Sequence, residues 1–488
     1  MQQPDIRSMV FKRKFAVNLY KNLRVKLAEM SMTSDFVQSD RGNMYPVIFC
    51  AGDFCETVSD EKYHFCGDEL GMVRRLLGQY TPYSTVSVKV ESLKGRCGVC
   101  YTMPQGVISV LMEEARGRLS FVMRMEGKET RFDSELVPAA GMEFVLTTRK
   151  GAFDVYVKLQ RGLEYVTSFR SEQFVEVMKE SVFGNTTVSL EVSGEVVVSS
   201  VSSYIDCGIR QADIRPIRFE DGTVMVDNGK IYLTISCRQE EGCYQGIVSW
   251  IPGTCDFQLT GVLFFDAGDG YWENDVASSI IYNRATAEWY LWMCSFSHGH
   301  VLGHASAKGE LRFGVNVLDV TLMPRMSGEA SDDMFLGKQG DEDPDFYYNK
   351  IEQCWYMTIC RLVEEAGKSR YAYFLFRSAQ PFEGYEYVSR GIGREETGGS
   401  IVEIGGKKHF ICGSDFQKRA VYHIYDLPEF SDMTLMKCDY DDGGFRGWGT
   451  VVVCPQASRM RYYWLTFDRN RGSDWNWSYG NLYCYEAI

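Results

Sequence analysis

The feature that most constrains this chain is a repeat that fills its second half. Five times, an acidic or glycine-rich corner is followed by an apolar strand, a short polar turn and a second strand rich in Trp and Tyr. Equivalent aromatic positions in the second strands are spaced by 58, 66, 54 and 54 residues, and they are Tyr232, Tyr290, Tyr356, Phe410 and Trp464. Repeats of this length with about four strands each are typical of propeller blades. We therefore predict an all-β chain with a five-bladed β-propeller over residues 206–488.

The corners at which the five units begin carry most of the chemistry that the repeat predicts. In a propeller, the innermost strands start around one end of a central channel, so their first residues converge on one funnel. Several carboxylates in one funnel repel each other, which raises the pKa of some and leaves others ionised. Hydrolysis of a glycosidic bond requires such a split pair. Acidic residues and Gly also suit turns for local reasons. The carboxylates concerned are Glu220, Asp221, Asp275, Glu342, Asp343, Asp345, Glu395 and Glu396.

The region before the repeat alternates polar and apolar residues with period two. Strand patterns occur at 84–90, 117–125, 142–147, 153–159 and 194–198, with Gly-centred turns between them. Half-buried strands at this spacing are typical of an antiparallel sandwich. We predict a β-sandwich of the jelly-roll or concanavalin type over residues 41–205.

The first forty residues have a different composition. Seven Lys and Arg fall in the first thirty residues against two acidic residues, and no apolar stretch is long enough for a signal peptide. We predict a basic N-terminal extension over residues 1–40, either solvated or forming a short helix.

Charge and cysteine usage argue against other classes of protein. The chain has 52 Lys and Arg against 65 Asp and Glu, a net charge of −13, which argues against a nucleic-acid partner. The sixteen cysteines are scattered, and only Cys97 and Cys100 have CxxC spacing. Without a second CxxC nearby we predict no metal site and no cofactor. No apolar run reaches the roughly 18 residues of a membrane span.

Two blade motifs carry a family resemblance. One is Glu342-Asp-Pro-Asp-Phe-Tyr-Tyr-Asn349, followed by Cys354-Trp-Tyr-Met-Thr358. The other is Asn274-Asp-Val-Ala-Ser-Ser-Ile-Ile-Tyr-Asn283, followed by Glu288-Trp-Tyr-Leu291. They resemble the blades of five-bladed propeller glycoside hydrolases, the arabinanase and fructosidase-like superfamily and related pectin-degrading enzymes of gut bacteria. The resemblance implies an oligosaccharide substrate and a periplasmic or extracellular location.

The resemblance also implies roles for the corner carboxylates. A blade-one Asp serves as base or nucleophile, a second Asp orients or tunes, and a later Glu is the acid. In this sequence the roles fall on Asp221, then Asp275 or Asp343, then Glu396. Asp221 lacks the usual Asp-Pro opening, so Glu220 or Asp213 stay open as the base.

Further side chains near the corners are candidates for substrate binding. Arg215, Arg394 and Arg446 would suit the carboxylate of an acidic sugar, although each could instead pair with a carboxylate of the protein. Trp448 would stack on a sugar face. His298 belongs with His300 and His304 to a loop cluster that could contact sugar hydroxyls, bind metal or be structural.

The sequence therefore predicts a glycoside hydrolase that cleaves a terminal linkage of a plant-type, possibly acidic, glycan by a two-carboxylate mechanism. The main alternative is a non-catalytic propeller that binds glycan or protein. A polysaccharide lyase, with His298 as base and Arg446 beside a uronic acid, is the third hypothesis. The sequence leaves the sugar, the linkage and the oligomeric state open.

Overall fold

The structure is a computed structural model in which the chain folds into two compact units. Unit 1 contains residues 1–24, 207–269 and 273–488, and unit 2 contains residues 25–206 and 270–272. The structure describes residues 4–33, 36–37, 45–134, 141–170, 177–326, 340–365, 368–392, 395–414, 421–438, 445–456, 459–468 and 481–488, except for the side chains of 364–365, 368–369, 445–448, 456 and 468.

The chain begins in unit 1 with strand β1, Val10–Asn18, and then builds unit 2. Unit 2 contains one short helix, α1 (Glu180–Phe183), and a 3₁₀ turn at Glu114–Arg116. Its thirteen strands belong to one hydrogen-bonded sheet. They are β2 (Arg24–Met30), β3 (Val47–Ala51), β4 (Phe54–Ser59), β5 (Lys62–Gly67), β6 (Met72–Gln79), β7 (Thr85–Met103), β8 (Gly106–Glu113), β9 (Arg118–Met125), β10 (Lys128–Asp133), β11 (Met142–Arg149), β12 (Ala152–Leu159), β13 (Gly162–Arg170) and β14 (Thr187–Asp206).

Two long strands, β7 and β14, organise unit 2. They pair antiparallel along most of their length, from Thr187 opposite Thr102 to Tyr204 opposite Thr85. Strand β7 also pairs with β11 through its first half and with β8 through its second. The five strands that the sequence predicted here all form. The division into two sheets of a concanavalin-type sandwich stays a prediction.

The remaining strands form the five blades of a β-propeller, which confirms the architecture predicted from the repeat. Blade one contains β15 (Arg210–Pro216), β17 (Val226–Asp227), β18 (Lys230–Arg238), β19 (Cys243–Trp250), β20 (Phe257–Asp266) and β24 (Gly314–Asp319). Blade two contains β16 (Arg218–Phe219), β21 (Asp275–Asn283), β22 (Glu288–Ser295), β23 (Val301–Lys308) and β25 (Thr321–Leu322). Blade three contains β26 (Asp341–Asn349), β27 (Cys354–Glu365), β28 (Lys368–Ser378) and β29 (Glu386–Arg390). Blade four contains β30 (Glu396–Ile404), β31 (Lys407–Ser414), β32 (Val421–Asp426) and β33 (Ser431–Leu435). Blade five contains β34 (Lys437–Cys438), β35 (Phe445–Gln456), β36 (Arg459–Asp468) and β37 (Asn481–Ala487), together with β1.

Strand β1 closes the propeller. It pairs antiparallel with β37, so that the N-terminal strand completes the last blade from outside. The predicted basic extension over 1–40 is therefore wrong for residues 10–18. Apolar and charged residues alternate in residues 10–18, as expected for a strand that packs one face against the blade and exposes the other. Phe11 is buried, whereas Lys12 is exposed.

The chain thus leaves the propeller after β1 and returns to it near Cys207. Within unit 1 the two crossing points are hydrogen-bonded to each other, since Lys21 N donates to Gly208 O and Cys207 N donates to Leu23 O. Unit 2 is therefore an insertion in the propeller sequence, whereas the sequence predicted consecutive segments 1–40, 41–205 and 206–488.

The repeated aromatic residues of the second strands lie between the blades. Tyr232 belongs to a buried cluster with Leu291 of blade two, and Tyr356 and Phe410 share a cluster between blades three and four. Trp464 packs with residues of blade four, including Ile411. The repeat visible in the sequence is thus the repeat of the interblade cores. No described helix is long and apolar enough to cross a membrane.

Candidate active site

The innermost strands of all five blades have a β-bulge at the same place near their start. In blades one to four, two residues of the innermost strand face one residue of the second strand. The first bulged residue has a positive φ in each: 54° at Asp213, 57° at Ala277, 50° at Asp343 and 62° at Gly398. Aspartate and Gly adopt this left-handed conformation more readily than most residues. In blade five the bulge lies between Arg446 and Thr450.

Two of these bulged residues are buried aspartates from blades one and three. Ser236 Oγ donates a hydrogen bond to Asp213 Oδ2 at 2.6 Å, and Arg238 Nη2 lies 4.0 Å from the same oxygen. Asp343 Oδ2 accepts a hydrogen bond from Gly398 N of blade four at 3.2 Å. Burial raises the pKa of Asp343, and the negative charge of Asp213 raises it further.

Arg215 forms a hub of hydrogen bonds to the bulges of three other blades. Its guanidinium donates to the backbone oxygens of Ala277 at 2.7 Å, Pro344 at 3.0 Å and Gly399 at 3.2 Å. Its exposed fraction is only 3%. The prediction of Arg215 as a ligand of a sugar carboxylate is therefore wrong. Its guanidinium nitrogens already donate hydrogen bonds to the buried backbone carbonyls of the bulges, which need donors because they are away from water.

Arg218, in strand β16 of blade two, has a similar structural role. It donates to Ile401 O at 3.0 Å and to Phe346 O at 3.1 Å, and it pairs with the buried carboxylate of Asp345. Asp345 also accepts a hydrogen bond from Ile401 N at 2.7 Å. This acidic corner residue therefore stabilises the channel.

Glu396 is fully buried at the start of the innermost strand of blade four. Its Oε1 accepts hydrogen bonds from His423 Nδ1 at 2.6 Å and from the hydroxyl of Tyr425. Its Oε2 accepts no hydrogen bond from the described residues. The thiol of Cys412 lies close to the same carboxyl. One oxygen of this buried carboxyl is thus held in place by two side chains.

Asp275 occupies the equivalent first position in blade two. Ser297 Oγ donates to Asp275 Oδ1 at 3.1 Å. Burial raises the pKa of Asp275 to about 6, against hydrogen bonds from Ser295 and Ser297 that lower it. His298 lies beside this group, with Nδ1 2.7 Å from Ser295 Oγ and Nε2 3.4 Å from Asp269 Oδ2.

Glu220 and Asp221 lie at the opposite end of the innermost strand of blade two. The adjoining strand β16 pairs with Ile281 and Tyr282, near the end of β21, whereas Asp275 starts it. Both carboxylates are bound by Arg284, at 2.7 Å to Glu220 and 2.6 Å to Asp221. The prediction of Asp221 as base and of Glu220 beside it is therefore wrong.

The error in the predicted positions of Glu220 and Asp221 has a structural cause. The innermost strand of blade one is β15, which ends at Pro216, so the acidic corner follows this strand and does not precede it. Asp213, which the sequence left open as the base, occupies the bulge position in β15.

Two further acidic residues at the start of the innermost strand of blade three, Asp341 and Glu342, make structural contacts. Asp341 forms a buried ion pair with Arg361, at 2.8 Å from Oδ2 to Nη2. Glu342 Oε1 lies 2.6 Å from His300 Nδ1, and this hydrogen bond raises the pKa of His300. His304 stacks on Phe382 with ring centroids 4.7 Å apart. The three loop histidines thus have separate partners and do not converge on one metal ion.

Three predicted substrate-binding residues fall outside what the structure describes. Arg394 lies outside the described residues. Arg446 and Trp448 belong to strand β35, but their side chains are not among the described ones. Their predicted roles stay predictions.

The residues that hold Glu396 were missed by the sequence analysis. His423 and Tyr425 alternate along strand β32 and so share one face of it. The signal that could have found them is the polar His within an otherwise apolar strand of a blade with an acidic corner.

Comparisons with known proteins find no matching family and only distant structural similarities. No protein-family model matches this sequence, and no curated protein sequence does. The structure is similar to the catalytic domain of a GH62 α-L-arabinofuranosidase from Coprinopsis cinerea, with 11% identity over 56% of this chain and 92% of that one and a TM-score of 0.38. It is also similar to a family 117 glycoside hydrolase from Zobellia galactanivorans, with 10% identity over 57% and 84% and a TM-score of 0.40.

A third similar structure is the carbohydrate-binding module CBM66 from Bacillus subtilis, with 8% identity, 36% of this chain and 96% of that one covered, and a TM-score of 0.25. Because all three TM-scores lie below 0.5, these similarities assign no activity to this chain.

Proposed function

We propose that this chain is a glycoside hydrolase that cleaves a terminal glycosidic linkage in the propeller funnel. The observation that carries the proposal is the set of buried carboxyls at the bulged starts of three innermost strands, Asp213, Asp343 and Glu396. A glycosidase needs one carboxylate as base or nucleophile and one carboxyl as acid. Other buried acidic residues of the channel, such as Asp341 and Asp345, instead form ion pairs with arginines.

In this proposal Asp213 is the base or nucleophile and Asp343 tunes it. The serine hydroxyl and the guanidinium beside Asp213 are partners that suit a carboxylate anion. Asp343, whose pKa is raised by burial and by the charge of Asp213, holds a proton more readily than an ordinary aspartate. The pair thus places a carboxyl that readily holds a proton near a second carboxyl.

Glu396 is the proposed proton donor. Its Oε1 is held by His423 and Tyr425, which leaves Oε2 to face the leaving oxygen of the substrate. Fixing one oxygen orients the other, and orientation of this kind is what general acid catalysis requires.

Asp275 and His298 are proposed to bind the terminal sugar. Both lie on the blade-two side, and Ser297 joins them, because its hydroxyl donates to Asp275 and lies 3.2 Å from His298 Nδ1. Sugar hydroxyls both donate and accept hydrogen bonds, so a carboxyl beside an imidazole suits them.

An acidic sugar would require a free guanidinium. Arg215 is committed to backbone oxygens, so this part of the proposal now depends on Arg394 and Arg446. The enzymes that the sequence resembles act in the periplasm or outside the cell, and we propose the same location here. A panel of neutral aryl glycosides, aryl uronides and pectic oligosaccharides tests the substrate class, with fractionation of cells for the location.

The roles can be separated with aryl glycosides that differ in their leaving group. We expect Glu396→Gln to lower kcat/KM by about 10²–10⁴ for a poor leaving group and far less for a dinitrophenyl glycoside, which needs no proton. Asp213→Gly should be inactive but regain turnover with azide, a small nucleophile.

Asp221→Asn is the matched control, since Asp221 lies at the other end of the blades, and it should keep wild-type turnover. An Asp221→Asn variant as inactive as Asp213→Gly would overturn the assignment of the base. Binding of a glycan without any hydrolysis would favour the non-catalytic propeller. An unsaturated product sugar would favour the lyase.

A further inference from the structure

Blade four contains a buried cluster of three different potential metal ligands. Glu396 starts β30, Cys412 lies in β31 and His423 lies directly opposite Cys412 in β32. A carboxylate oxygen, the thiol sulfur and an imidazole nitrogen of these residues all lie within 4.8 Å of one another. Among the residues that the structure describes, this is the one such group of three.

The donor set suits one class of ion. Thiolate, imidazole and carboxylate are the ligands that Zn²⁺ binds at about 2.0–2.3 Å, and tetrahedral geometry then places ligand atoms roughly 3.5 Å apart. Glu396 Oε1 and His423 Nδ1 are 2.6 Å apart, so they need to separate by about 1 Å. A carboxylate and a thiolate together balance the charge of a divalent ion, which lowers the cost of burying it.

A second observation points to a ligand at this place. Glu396 has no exposed surface, yet its Oε2 accepts no hydrogen bond from the described residues. A buried acceptor without a partner is costly, and a bound ion would satisfy it.

Other buried cysteines of the propeller have ordinary partners. The thiol of Cys360 donates to Glu396 O at 3.4 Å, and that of Cys294 donates to Asp341 O at 3.8 Å. Cys412 differs from them because ligand atoms of an imidazole and of a carboxyl both lie within 4.8 Å of its sulfur.

We propose that Glu396, Cys412 and His423 form a binding site for a thiophilic divalent cation of the Zn²⁺ class. Three protein ligands leave the fourth position of a tetrahedral ion open to water or substrate.

The site has a consequence that rests on the proposed function. An ion bound by Glu396 occupies the carboxyl that is proposed to donate the proton. Zn²⁺ therefore inhibits hydrolysis, and Cys412→Ser makes the enzyme less sensitive to it.

Binding is tested with Co²⁺ on the full chain, by a readout that does not depend on hydrolysis. Thiolate ligation of Co²⁺ produces a charge-transfer band in the near ultraviolet. We expect wild type to gain this band with one equivalent of Co²⁺, and Zn²⁺ to abolish it by displacement. Cys412→Ser should lose the band, and His423→Ala should weaken it.

The matched control is Cys294→Ser, a buried cysteine in the second strand of blade two, which should keep the whole band. Thermal unfolding of each variant establishes that it is folded. A wild-type chain without the band, a folded Cys412→Ser variant that keeps it, or a folded Cys294→Ser variant that loses it would overturn the site. If the band behaves as expected and no glycoside is cleaved, the metal site stands and the proposed function fails.

Discussion

Asp275 and Asp221 are aspartates of neighbouring segments whose surroundings move their pKa values in opposite directions. Burial raises the pKa of Asp275 to about 6. Partial burial opposes the shift of Asp221, but hydrogen bonds from Thr223 and Arg284 lower its pKa to about 2. The first pattern is typical of a functional carboxyl and the second of a structural ion pair.

The raised pKa of Asp275 predicts how the free energy of unfolding depends on pH. A buried carboxyl with a folded-state pKa of about 6 stabilises the fold below about pH 4, and this contribution is lost as pH rises to 6. Asp275→Asn removes that loss. Relative to wild type, we expect its free energy of unfolding to gain about 3 kcal/mol between about pH 4 and pH 7, measured by urea unfolding.

Asp221→Asn provides the comparison with opposite sign. Its lowered pKa contributes stability above about pH 4 that is lost as pH falls through 2. The variant should therefore lose stability relative to wild type as pH rises. The same pH dependence in both variants would contradict the environments described for these two aspartates.

At the scale of the element, the bulge is the unit that builds the site. It turns the start of each innermost strand so that Asp213 and Asp343 adopt a left-handed conformation, and it directs carbonyls of three blades toward Arg215. Bulges commonly re-aim side chains next to active sites. Glycine at the second bulged position of blade four leaves room for the neighbouring aromatic residues.

Gly399 tests how tightly the bulge is packed. A Cβ at this position would lie 2.0 Å from Phe410 Cζ and 2.8 Å from Tyr373 Cζ. We expect Gly399→Ala to lower the free energy of unfolding by about 1–3 kcal/mol through overpacking. Gly78→Ala, where a Cβ meets nothing within 4 Å, is the control and should change stability by less than about 1 kcal/mol. Equal effects of the two substitutions would show that the bulge tolerates side-chain volume.

At the scale of the whole molecule, the propeller is closed by residues from both ends of the chain. Strand β1 adds to β37, and Phe11 contributes to the buried cluster shared by blades four and five. Closure of this kind ties the first residues of the sequence to the last blade. It also removes an unpaired edge that could pair with another chain.

Phe11→Ala tests the contribution of this closure. Phe11 has no exposed surface, so the substitution should lower the free energy of unfolding of the propeller by about 3–5 kcal/mol. Tryptophan fluorescence reports the propeller, because eight of the nine tryptophans belong to unit 1. Lys12→Ala, on the exposed face of the same strand, should stay within about 0.5 kcal/mol of wild type. A propeller transition that Phe11→Ala leaves unchanged would mean that β1 is dispensable.

Local patterns determined the architecture. The spacing from Tyr232 to Trp464 predicted five blades, and each predicted second strand forms. Both features could be predicted because the polar-apolar alternation of a strand and its aromatic residues are visible in consecutive positions of the sequence. The sequence also predicted that strands begin at the corners of Asp275, Asp343 and Glu396, and they do; the roles of these carboxyls stay proposals. The sequence by itself therefore determined the fold class and the position of these three carboxyls near the starts of innermost strands.

Tertiary structure decided which polar groups meet. Only the folded channel brings Arg215 to the carbonyls of three other blades, and only the register of blade one places Asp213, and not Asp221, at the bulge. Likewise, β1 reaches the last blade through pairing across nearly the whole chain. These contacts join residues tens to hundreds of positions apart. They depend on how blades pack around a common channel, which no local periodicity specifies.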